Sequence, residues 1–339
     1  MKKVPVDKAV GLKLYHDITR IVPGKLKGPL FRKGHTIREE DIAELKKIGK
    51  EHIFVGELKP GEIHENEAAL RMSQVIAGEN ITFDEPVEGK ITLKAELRGL
   101  FKVKSRLLYK INSLTDITIA SLPNNYKVEK NQGLAGVRIV PLTIPESSIQ
   151  KVESFSAQEG PVFQVKAYQP LKVGIITTGN EVQKGLVKDG FGPLLKKKFS
   201  YFKGEVLEQI FCIDEKQKIV EAIRYFLEKK VDLIALSGGM SVDPDDLTPG
   251  AIKESGAKVV TYGVPVQPGN MFLLAYFEKT ALLGIPGASL FYENTILDIV
   301  LPRIFAGEIL TKKEFILMGE GGFCSTCASC HYPCCYFGR

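Results

Sequence analysis

The chain has 339 residues, of which 44% are hydrophobic and 25% are charged, and its formal net charge is +6. This composition is typical of a globular protein, and the length suffices for two or three domains. No apolar run approaches the ~20 residues that span a bilayer, and no apolar segment follows the lysines at the start. We therefore expect a cytoplasmic protein without a membrane partner. The modest charge is spread along the chain without a nucleic-acid motif, so we expect no nucleic-acid partner.

The first part of the chain, residues 1–165, consists of short apolar runs separated by turn residues. This texture predicts one or two small α+β or β-rich units. The apolar spacing of residues 38–49 predicts a helix, and that of residues 64–78 predicts a second one. Residues 155–170 contain Gly160, Pro161 and Pro170 and are predicted to be a linker.

The second part, residues 170–307, alternates apolar runs with helical patterns. Strands are predicted at 171–178, 205–213, 231–237, 258–263, 271–277 and 280–285. Helices are predicted within 189–204 and 215–230, around 248–255, and at the end of 288–307. This alternation predicts an α/β domain with a three-layer, doubly wound and mostly parallel sheet.

Polar segments follow three of these strands, at the carboxyl ends where open α/β sheets bind ligands. They are Thr177–Glu181, Asp214 and a run that begins at Ser237. Each has a simpler explanation, because the first could be only a polar turn and Asp214 only a helix cap. Their position at one edge of the sheet favours a binding site.

The most informative run is SGGMSVDPDD, residues 237–246. Adjacent glycines let the backbone approach a ligand and present its N–H groups, which favours an anion such as phosphate. Carboxylates next to a phosphate favour Mg²⁺ as the bridge. The run therefore predicts a site for a phosphorylated ligand and a hard cation.

The third part, residues 308–339, carries five of the six cysteines. Cys324, Cys327, Cys330 and Cys334 have the spacing C-x2-C-x2-C-x3-C, which indicates a single Fe–S cluster or one zinc site. A tail of free thiols is the alternative. Cys212 lies in a predicted strand and is expected in the core.

Several motifs in residues 170–307 occur in the order found in a known family. TTGNE (177–181), SGGMSVDPDD (237–246), PVQPGN (265–270) and GIPGAS (284–289) resemble the molybdopterin-binding domain of the MoeA/MogA family of molybdenum cofactor biosynthesis. The resemblance implies that fold, molybdopterin as the ligand, and a homo-oligomer. It also implies molybdoenzymes or other cofactor biosynthesis proteins as partners.

The resemblance assigns roles to individual residues. Those expected to bind the cofactor are Thr178, Gly179, Asn180, Ser237, Gly238, Gly239, Ser241, Pro268, Gly269, Pro286 and Gly287. Glu181, Asp214 and Asp246 are the expected catalytic residues, and Glu181, Asp243 and Asp246 the expected Mg²⁺ ligands. In the molybdotransferase branch this site takes adenylylated molybdopterin and molybdate, releases AMP and leaves molybdenum on the dithiolene.

The chain also departs from the family pattern. Gln267 and Asn270 replace two lysines of the K-P-G-K loop, Asp243 replaces a glycine, and Ala288 replaces an asparagine. The cysteine tail stands in place of the family's C-terminal β-domain. A molybdopterin molybdenumtransferase-like enzyme is the first hypothesis. The second is a carrier or sensor of the cofactor with a metal- or redox-responsive tail, and a nucleotide-binding protein like the CinA branch is the third.

Overall fold

The computed structural model describes residues 1–22, 24, 26–241, 243, 244 and 246–338, with the side chains of Leu26, Lys27 and Glu181 outside this description. The strands are β1 Lys2–Pro5, β2 Ile18–Val22, β3 Leu26–Phe31, β4 His52–Val55, β5 Glu62–His64, β6 Ile81–Phe83, β7 Lys90–Ala95, β8 Gly99–Val103, β9 Ile117–Ser121, β10 Tyr126–Val128, β11 Gly133–Ile139, β12 Thr143–Pro145, β13 Phe163–Ala167, β14 Lys172–Thr178, β15 Glu205–Cys212, β16 Leu233–Ser237, β17 Lys258–Tyr262, β18 Leu273–Phe277 and β19 Thr280–Ile285.

The helices are α1 Asp41–Lys47, α2 Glu65–Ile76, α3 Ser105–Asn112, α4 Glu146–Glu159, α5 Asn180–Gln183, α6 Phe191–Tyr201, α7 Lys216–Glu228, α8 Thr248–Glu254, α9 Ile296–Phe305 and α10 Lys312–Ile316. These elements form two units. The first comprises residues 1–97, 102–122 and 129–165, and the second residues 98–101, 123–128 and 166–339.

The first unit is α+β, as its texture predicts. Small antiparallel sheets are built from β1 and β4, from β2 and β3, and from β5 and β12, beside a four-stranded sheet in the order β6-β7-β11-β9. Helix α2 packs on β7 and β11 and is tied to α4 by Arg71, which donates to Glu146 at 2.7 Å and to Glu153 at 2.8 Å. The predicted helices at 38–49 and 64–78 are confirmed as α1 and α2.

The predicted linker at 155–170 contains the boundary between the two units, after Val165, but most of it is helix and strand rather than irregular chain. Helix α4 continues to Glu159 and ends at Gly160, whose φ is 78°. After Pro161, buried Val162, Phe163 and Val165 belong to or adjoin strand β13. Gly160 and Pro161 therefore mark the end of helix α4. Because these turn residues precede it, the apolar strand β13 was not predicted.

The second unit contains a six-stranded sheet in the order β15-β14-β16-β19-β18-β17. The pairs among β15, β14, β16 and β19 are parallel, whereas β18 pairs antiparallel with β19 and with β17, which forms one edge of the sheet. Strands β14, β16 and β19 are buried along most of their length because both faces of the sheet are covered, whereas the edge strand β15 is largely exposed and carries Glu205, Glu208 and Gln209. The predicted mostly parallel sheet is confirmed.

Helices cover the two faces of this sheet in separate cores. One core joins Val173, Leu233 and Leu283 to residues of α6 and α9, and includes Phe199 and Phe305. The other joins strand residues such as Ile234 to α7 and α8. This arrangement is the predicted three-layer architecture. Among the described residues, no helix is long and apolar enough to cross a membrane.

Candidate functional site

Three neighbouring parallel strands end in register. Thr177 of β14 pairs with Ser237 of β16, and Ser237 pairs with Ile285 of β19. On the other side, Thr178 of β14 pairs with Cys212 of β15. Adjacent strands lie about 4.8 Å apart, so the loops that follow them leave the same edge of the sheet side by side. We call this set of loops the carboxyl edge.

The loops after β14 and β15 are joined by a reciprocal contact. The backbone N–H of Asn180 donates to Asp214 Oδ2 at 3.0 Å, and the N–H of Asp214 donates to Asn180 Oδ1 at 3.4 Å. Helix α7 begins at Lys216, and its N-cap is Glu215. The interpretation of Asp214 as a cap of that helix is therefore wrong, because its carboxylate holds the Gly179–Asn180 turn instead.

The diglycine turn after β16 lies against the end of β14. Gly238 has φ of 91° and Gly239 has φ of 55°, conformations that L side chains rarely adopt. A Cβ on Gly238 would overlap the carbonyl oxygen of Thr178. Thr248 fixes the turn from α8, because its Oγ1 donates to the carbonyl of Gly238 at 2.8 Å. Glycine is required here both by backbone conformation and by the close approach of Thr178.

Two buried hydroxyls at the carboxyl edge have no hydrogen-bond partner among the described residues. They are Thr178 Oγ1, on a residue that is 3% exposed, and Ser289 Oγ, on a residue that is 2% exposed. A buried hydroxyl without a partner costs about 1–3 kcal/mol. A Cβ on Gly239 would lie 3.6 Å from Thr178 Oγ1, so this hydroxyl lies beside the diglycine turn.

The carboxylates of the 237–246 run close a turn of their own. The N–H of Asp243 donates to Asp246 Oδ2 at 3.1 Å, and the N–H of Asp246 donates to the carbonyl of Asp243 at 2.9 Å. Ser241 and Asp243 are exposed, and Asp246 is half-buried. Asp245 lies outside the described residues, as does the side chain of Glu181, whose backbone belongs to α5.

Tyr262, which no sequence pattern singles out, contacts the same run from the edge strand β17. Its Oη donates to the carbonyls of Met240 at 3.1 Å and Ser241 at 2.9 Å. Burial raises the pKa of Tyr262, and the charge of Asp246 raises it further. The hydroxyl therefore stays protonated as a donor. Nothing in the spacing of the chain signals this contact, because two strands separate β17 from β16 in the sheet and Tyr262 reaches the turn from the carboxyl end of β17.

A second network missed by sequence reasoning lies under the turn. Gln209 Nε2 donates to Thr177 Oγ1 at 3.0 Å and to Asp189 Oδ2 at 2.7 Å. Asp189 Oδ1 accepts the N–H groups of Phe191 and Gly192 at the start of α6. Ser237, predicted to bind the cofactor, is fully buried and donates to Thr177 Oγ1 at 3.3 Å. Gln209 is a polar residue that precedes the apolar end of β15, and this was the sequence feature that could have indicated a polar network here.

The two remaining predicted loops also lie at this edge. Gln267–Pro268 is a cis peptide, and the carbonyl of Pro268 accepts the N–H of Ile296 at 3.3 Å. A Cβ on Gly269, whose φ is 111°, would press against Ile296. Pro286 directly follows β19 and is buried, whereas Gly287 is exposed and opens the 3₁₀ turn Gly287–Leu290.

The predicted cysteine metal site is not formed among the described residues, whereas the predicted Mg²⁺ site of Glu181, Asp243 and Asp246 stays a prediction because the Glu181 side chain lies outside them. Within the described part of the chain, no three His, Cys, Asp or Glu side chains come together in an arrangement that could hold a metal ion. The four cysteines Cys324, Cys327, Cys330 and Cys334 form no disulfide. The cysteines lie along an irregular tail that does not bring their thiols together, so their spacing alone did not predict a metal site correctly. Cys212 is buried as predicted, and burial raises the pKa of its thiol.

Comparison with known proteins finds a family match within the second unit. Residues 174–306 match the family model described as "Probable molybdopterin binding domain". Residues 3–57 match a domain family of unknown function. A molybdopterin molybdenumtransferase of Haemophilus influenzae is 27% identical over 150 residues, which cover 42% of this chain and 37% of the relative.

Other relatives cover less of the chain or are more distant. A CinA-like protein of Mycobacterium avium is 34% identical over 77 residues, which cover 23% of this chain and 18% of the relative. The chain thus spans less than two-fifths of the length of the curated relatives it matches.

Solved structures with similarity include the molybdopterin biosynthesis MoeA protein of Pyrococcus horikosii, at 15% identity and a TM-score of 0.33, with 90% of this chain and 74% of that chain covered. The tungsten cofactor synthesizing protein MoaB of Pyrococcus furiosus has 18% identity and a TM-score of 0.33, with 41% and 97% covered. From the family match and the ordered motifs at the carboxyl edge, we conclude that residues 174–306 are a domain of the molybdopterin-binding family of molybdenum cofactor biosynthesis, to which MoeA and MogA proteins belong.

Proposed function

We propose that the carboxyl edge binds molybdopterin through its phosphate, with the diglycine turn as the cradle. One observation carries the proposal: Gly238 and Gly239 adopt positive φ directly against Thr178, whose buried hydroxyl has no partner among the described residues. Bare N–H groups of glycine turns favour anions, and a phosphate oxygen accepts a hydroxyl donor. Thr248, Tyr262 and the pair Asn180–Asp214 hold the turn and its neighbours in place.

The binding test uses purified protein and molybdopterin, with ATP as the competitor. We expect molybdopterin to bind and a large excess of ATP to leave it bound. Displacement by ATP at equal concentration would favour the nucleotide-binding alternative, for which the CinA-like relatives give a reason.

The chemistry that we propose at this site is molybdenum insertion. A magnesium ion would be held by Asp243 and Asp246, because Mg²⁺ takes one or two carboxylates and completes its shell with substrate phosphate oxygens and water. When bound, the ion would neutralise the pyrophosphate of an adenylylated pterin and polarise its phosphorus. Asp214 and Asn180 would position the loop that faces the pyrophosphate. Catalysis would then depend on positioning and electrostatics.

The turnover test supplies adenylylated molybdopterin, molybdate and Mg²⁺ and measures AMP release. The matched variant is Asp246→Asn, which keeps an oxygen acceptor for the N–H of Asp243 but removes the charge that a magnesium ion needs. We expect release by the wild type to exceed release by Asp246→Asn by at least about 100-fold, in the range seen when one electrostatic group of an active site is lost. Equal release by the two proteins would reject the transferase proposal.

The second candidate function is a carrier or sensor of the cofactor. It is favoured by the Gln267–Asn270 loop, which lacks lysine, and by the tail of free thiols whose Cys324 N–H donates to the carbonyl of Gln267 at 2.8 Å. This candidate predicts tight molybdopterin binding with no AMP release, and binding that changes when the tail thiols are oxidised.

A further inference from the structure

A cavity of about 450 Å³ lies between the cysteine tail and the segment that follows β19. One wall is Phe291, Tyr292 and Asn294, and the other includes Cys327, Cys330 and Tyr336. Phe291 is 83% exposed and Tyr336 is 52% exposed, so aromatic surface is left open to solvent at the mouth of the cavity. Aromatic side chains in this position are typical of ligand sites.

The tail wall of the cavity is fixed at several points. The Cys324 N–H donates to the Gln267 carbonyl at 2.8 Å, and the Tyr332 Oη donates to the Asp298 carbonyl at 2.8 Å. Phe337 is 2% exposed and belongs to the core that covers one face of the sheet. Asn294 Nδ2 donates across the cavity to Cys330 Sγ at 3.0 Å. The tail is therefore a structural wall rather than an appendage.

The opposite wall is fixed to the carboxyl edge. Its segment continues from Pro286 and Gly287, which follow β19 where Ile285 pairs with Ser237. Leu290 contacts the loop after β14, since a Cβ on Gly190 would lie 3.1 Å from Leu290 Cδ2. Lys198 Nζ donates to the carbonyl of Glu293 at 3.2 Å and holds the far end. One wall of the cavity is thus a segment that follows a strand of the carboxyl edge.

We propose that this cavity binds the flat fused ring of a pterin, as a subsite that the cysteine tail completes. The inference rests on the proposed function, which assigns the phosphate of molybdopterin to the diglycine turn but gives no site for its ring. The cavity lies within the usual 300–1,000 Å³ range of small-molecule sites. Its aromatic rings offer stacking surfaces, and Glu293 and Asn294 bring a carboxylate and an amide that can hydrogen-bond the amino and oxo groups of the ring edge.

The first test measures protection of thiols from alkylation. The probe is 6-hydroxymethylpterin, which has the ring and no phosphate, added to fully reduced protein before iodoacetamide. Cys327, Cys330 and Cys334 are all exposed, but only Cys327 and Cys330 line the cavity. We expect the pterin to slow alkylation of Cys327 and Cys330 and to leave Cys334 unchanged. Unchanged rates at all three thiols, or equal slowing at Cys334, would overturn the proposal.

The second test compares two exposed phenylalanines. Phe291→Ser removes a ring from the cavity wall, and Phe323→Ser removes one that is 66% exposed on the tail but outside the lining. We expect Phe291→Ser to weaken pterin binding about tenfold, the effect of losing one stacking ring, and Phe323→Ser to bind as the wild type does. Equal affinity of Phe291→Ser and Phe323→Ser would contradict the ring subsite.

The phosphate-free probe separates the two proposals. If molybdopterin binds and 6-hydroxymethylpterin neither protects the thiols nor depends on Phe291, the subsite is wrong and the phosphate site stands. If the phosphate-free pterin protects Cys327 and Cys330 while loss of the diglycine turn leaves molybdopterin affinity unchanged, the ring subsite stands and the phosphate proposal fails.

Discussion

Asn180 and Asp214 each accept the backbone N–H of the other across the ends of β14 and β15, at 3.4 and 3.0 Å. This pair of hydrogen bonds joins the loops after β14 and β15 at the carboxyl edge, beside the diglycine turn. The contact uses the side-chain oxygens only as acceptors, so it does not itself require the negative charge of Asp214. Charge and geometry can therefore be separated at this position.

Asp214→Asn should keep the hydrogen bond from the Asn180 N–H, whereas Asp214→Ala should remove it. We expect Asp214→Ala to lower the free energy of unfolding by about 0.5–1.5 kcal/mol, the usual net contribution of one hydrogen bond, and Asp214→Asn to change it less. Urea denaturation measures both. If Asp214→Asn loses molybdopterin affinity at unchanged stability, the charge acts on the ligand, and if only Asp214→Ala loses it, the residue is a positioning residue.

Gly238→Ala should damage the turn on two grounds. A positive φ costs an L residue about 1–2 kcal/mol, and the new Cβ would overlap the Thr178 carbonyl. We expect a loss of at least about 2 kcal/mol in stability together with loss of molybdopterin binding. Gly250→Ala is the matched control, because Gly250 lies in α8 and a Cβ there would meet only the flexible end of Lys216, at 3.4 Å.

Gly250→Ala should be neutral or slightly stabilising, since alanine favours a helix more than glycine does. Thermal unfolding of both variants and molybdopterin titration give the comparison. Wild-type stability in Gly238→Ala would mean that the turn does not have the described conformation.

Lys198→Met should lower the stability of the second unit by more than the loss of an exposed surface ion pair would. Lys198 Nζ donates to both carboxylate oxygens of Asp298, at 2.7 and 2.9 Å, and each side chain is only 13% exposed. Removing one partner of a buried pair leaves an uncompensated charge and costs about 3 kcal/mol. Asp298→Asn in the same chain should recover part of this loss, because an amide oxygen can still accept the Thr295 N–H. A double variant no more stable than Lys198→Met would contradict this explanation.

The first unit should lose stability in mild acid because of His64. This ring is 2% exposed, donates from Nε2 to the Tyr15 carbonyl and accepts the Asn66 N–H at Nδ1. Burial, with Lys33 nearby, lowers the pKa of His64 to about 4 from 6.5. The unfolded chain therefore binds a proton between these values that the folded chain does not, and stability falls as pH drops through that window.

The full effect of His64 is at most about 3 kcal/mol, since one pKa unit corresponds to about 1.4 kcal/mol. Burial raises the pKa of neighbouring Glu65, which gives a pH dependence of the opposite sign. The contribution of His64 is isolated by the difference between the wild type and His64→Gln, measured by urea denaturation at about pH 7 and about pH 5. Parallel losses in the two proteins would exclude His64 as the cause.

The second unit could be predicted from sequence because its signals are local. Most of the strands are apolar runs, and their order along the chain places Thr177–Glu181, Asp214 and the diglycine run at one edge of a doubly wound sheet. The family motifs occur in the same order. The contacts among these loops follow from that placement, as the Asn180–Asp214 pair shows.

The missed features depend on pairing between distant elements. Tyr262 reaches Ser241 only because β17 is an antiparallel edge strand, and Gln209 reaches Asp189 across a helix start. The cysteine spacing misled for a related reason: C-x2-C-x2-C fits a metal only if the local backbone turns the thiols inward, and the tail instead follows the core and lines a cavity. Gly160 and Pro161 suggested an irregular linker because the end of a helix, here α4, has a similar composition.

The most direct measurement of the central claim is the molybdopterin affinity of Thr178→Val. The substitution keeps the shape of a side chain that is 3% exposed and removes a hydroxyl with no partner among the described residues, so stability should be unchanged or higher. Ser156→Ala, which removes another buried hydroxyl without a partner among the described residues, but in the first unit, is the control for stability and should leave binding alone. The account predicts a folded Thr178→Val protein whose affinity for molybdopterin is about tenfold weaker; wild-type affinity in that protein would contradict it.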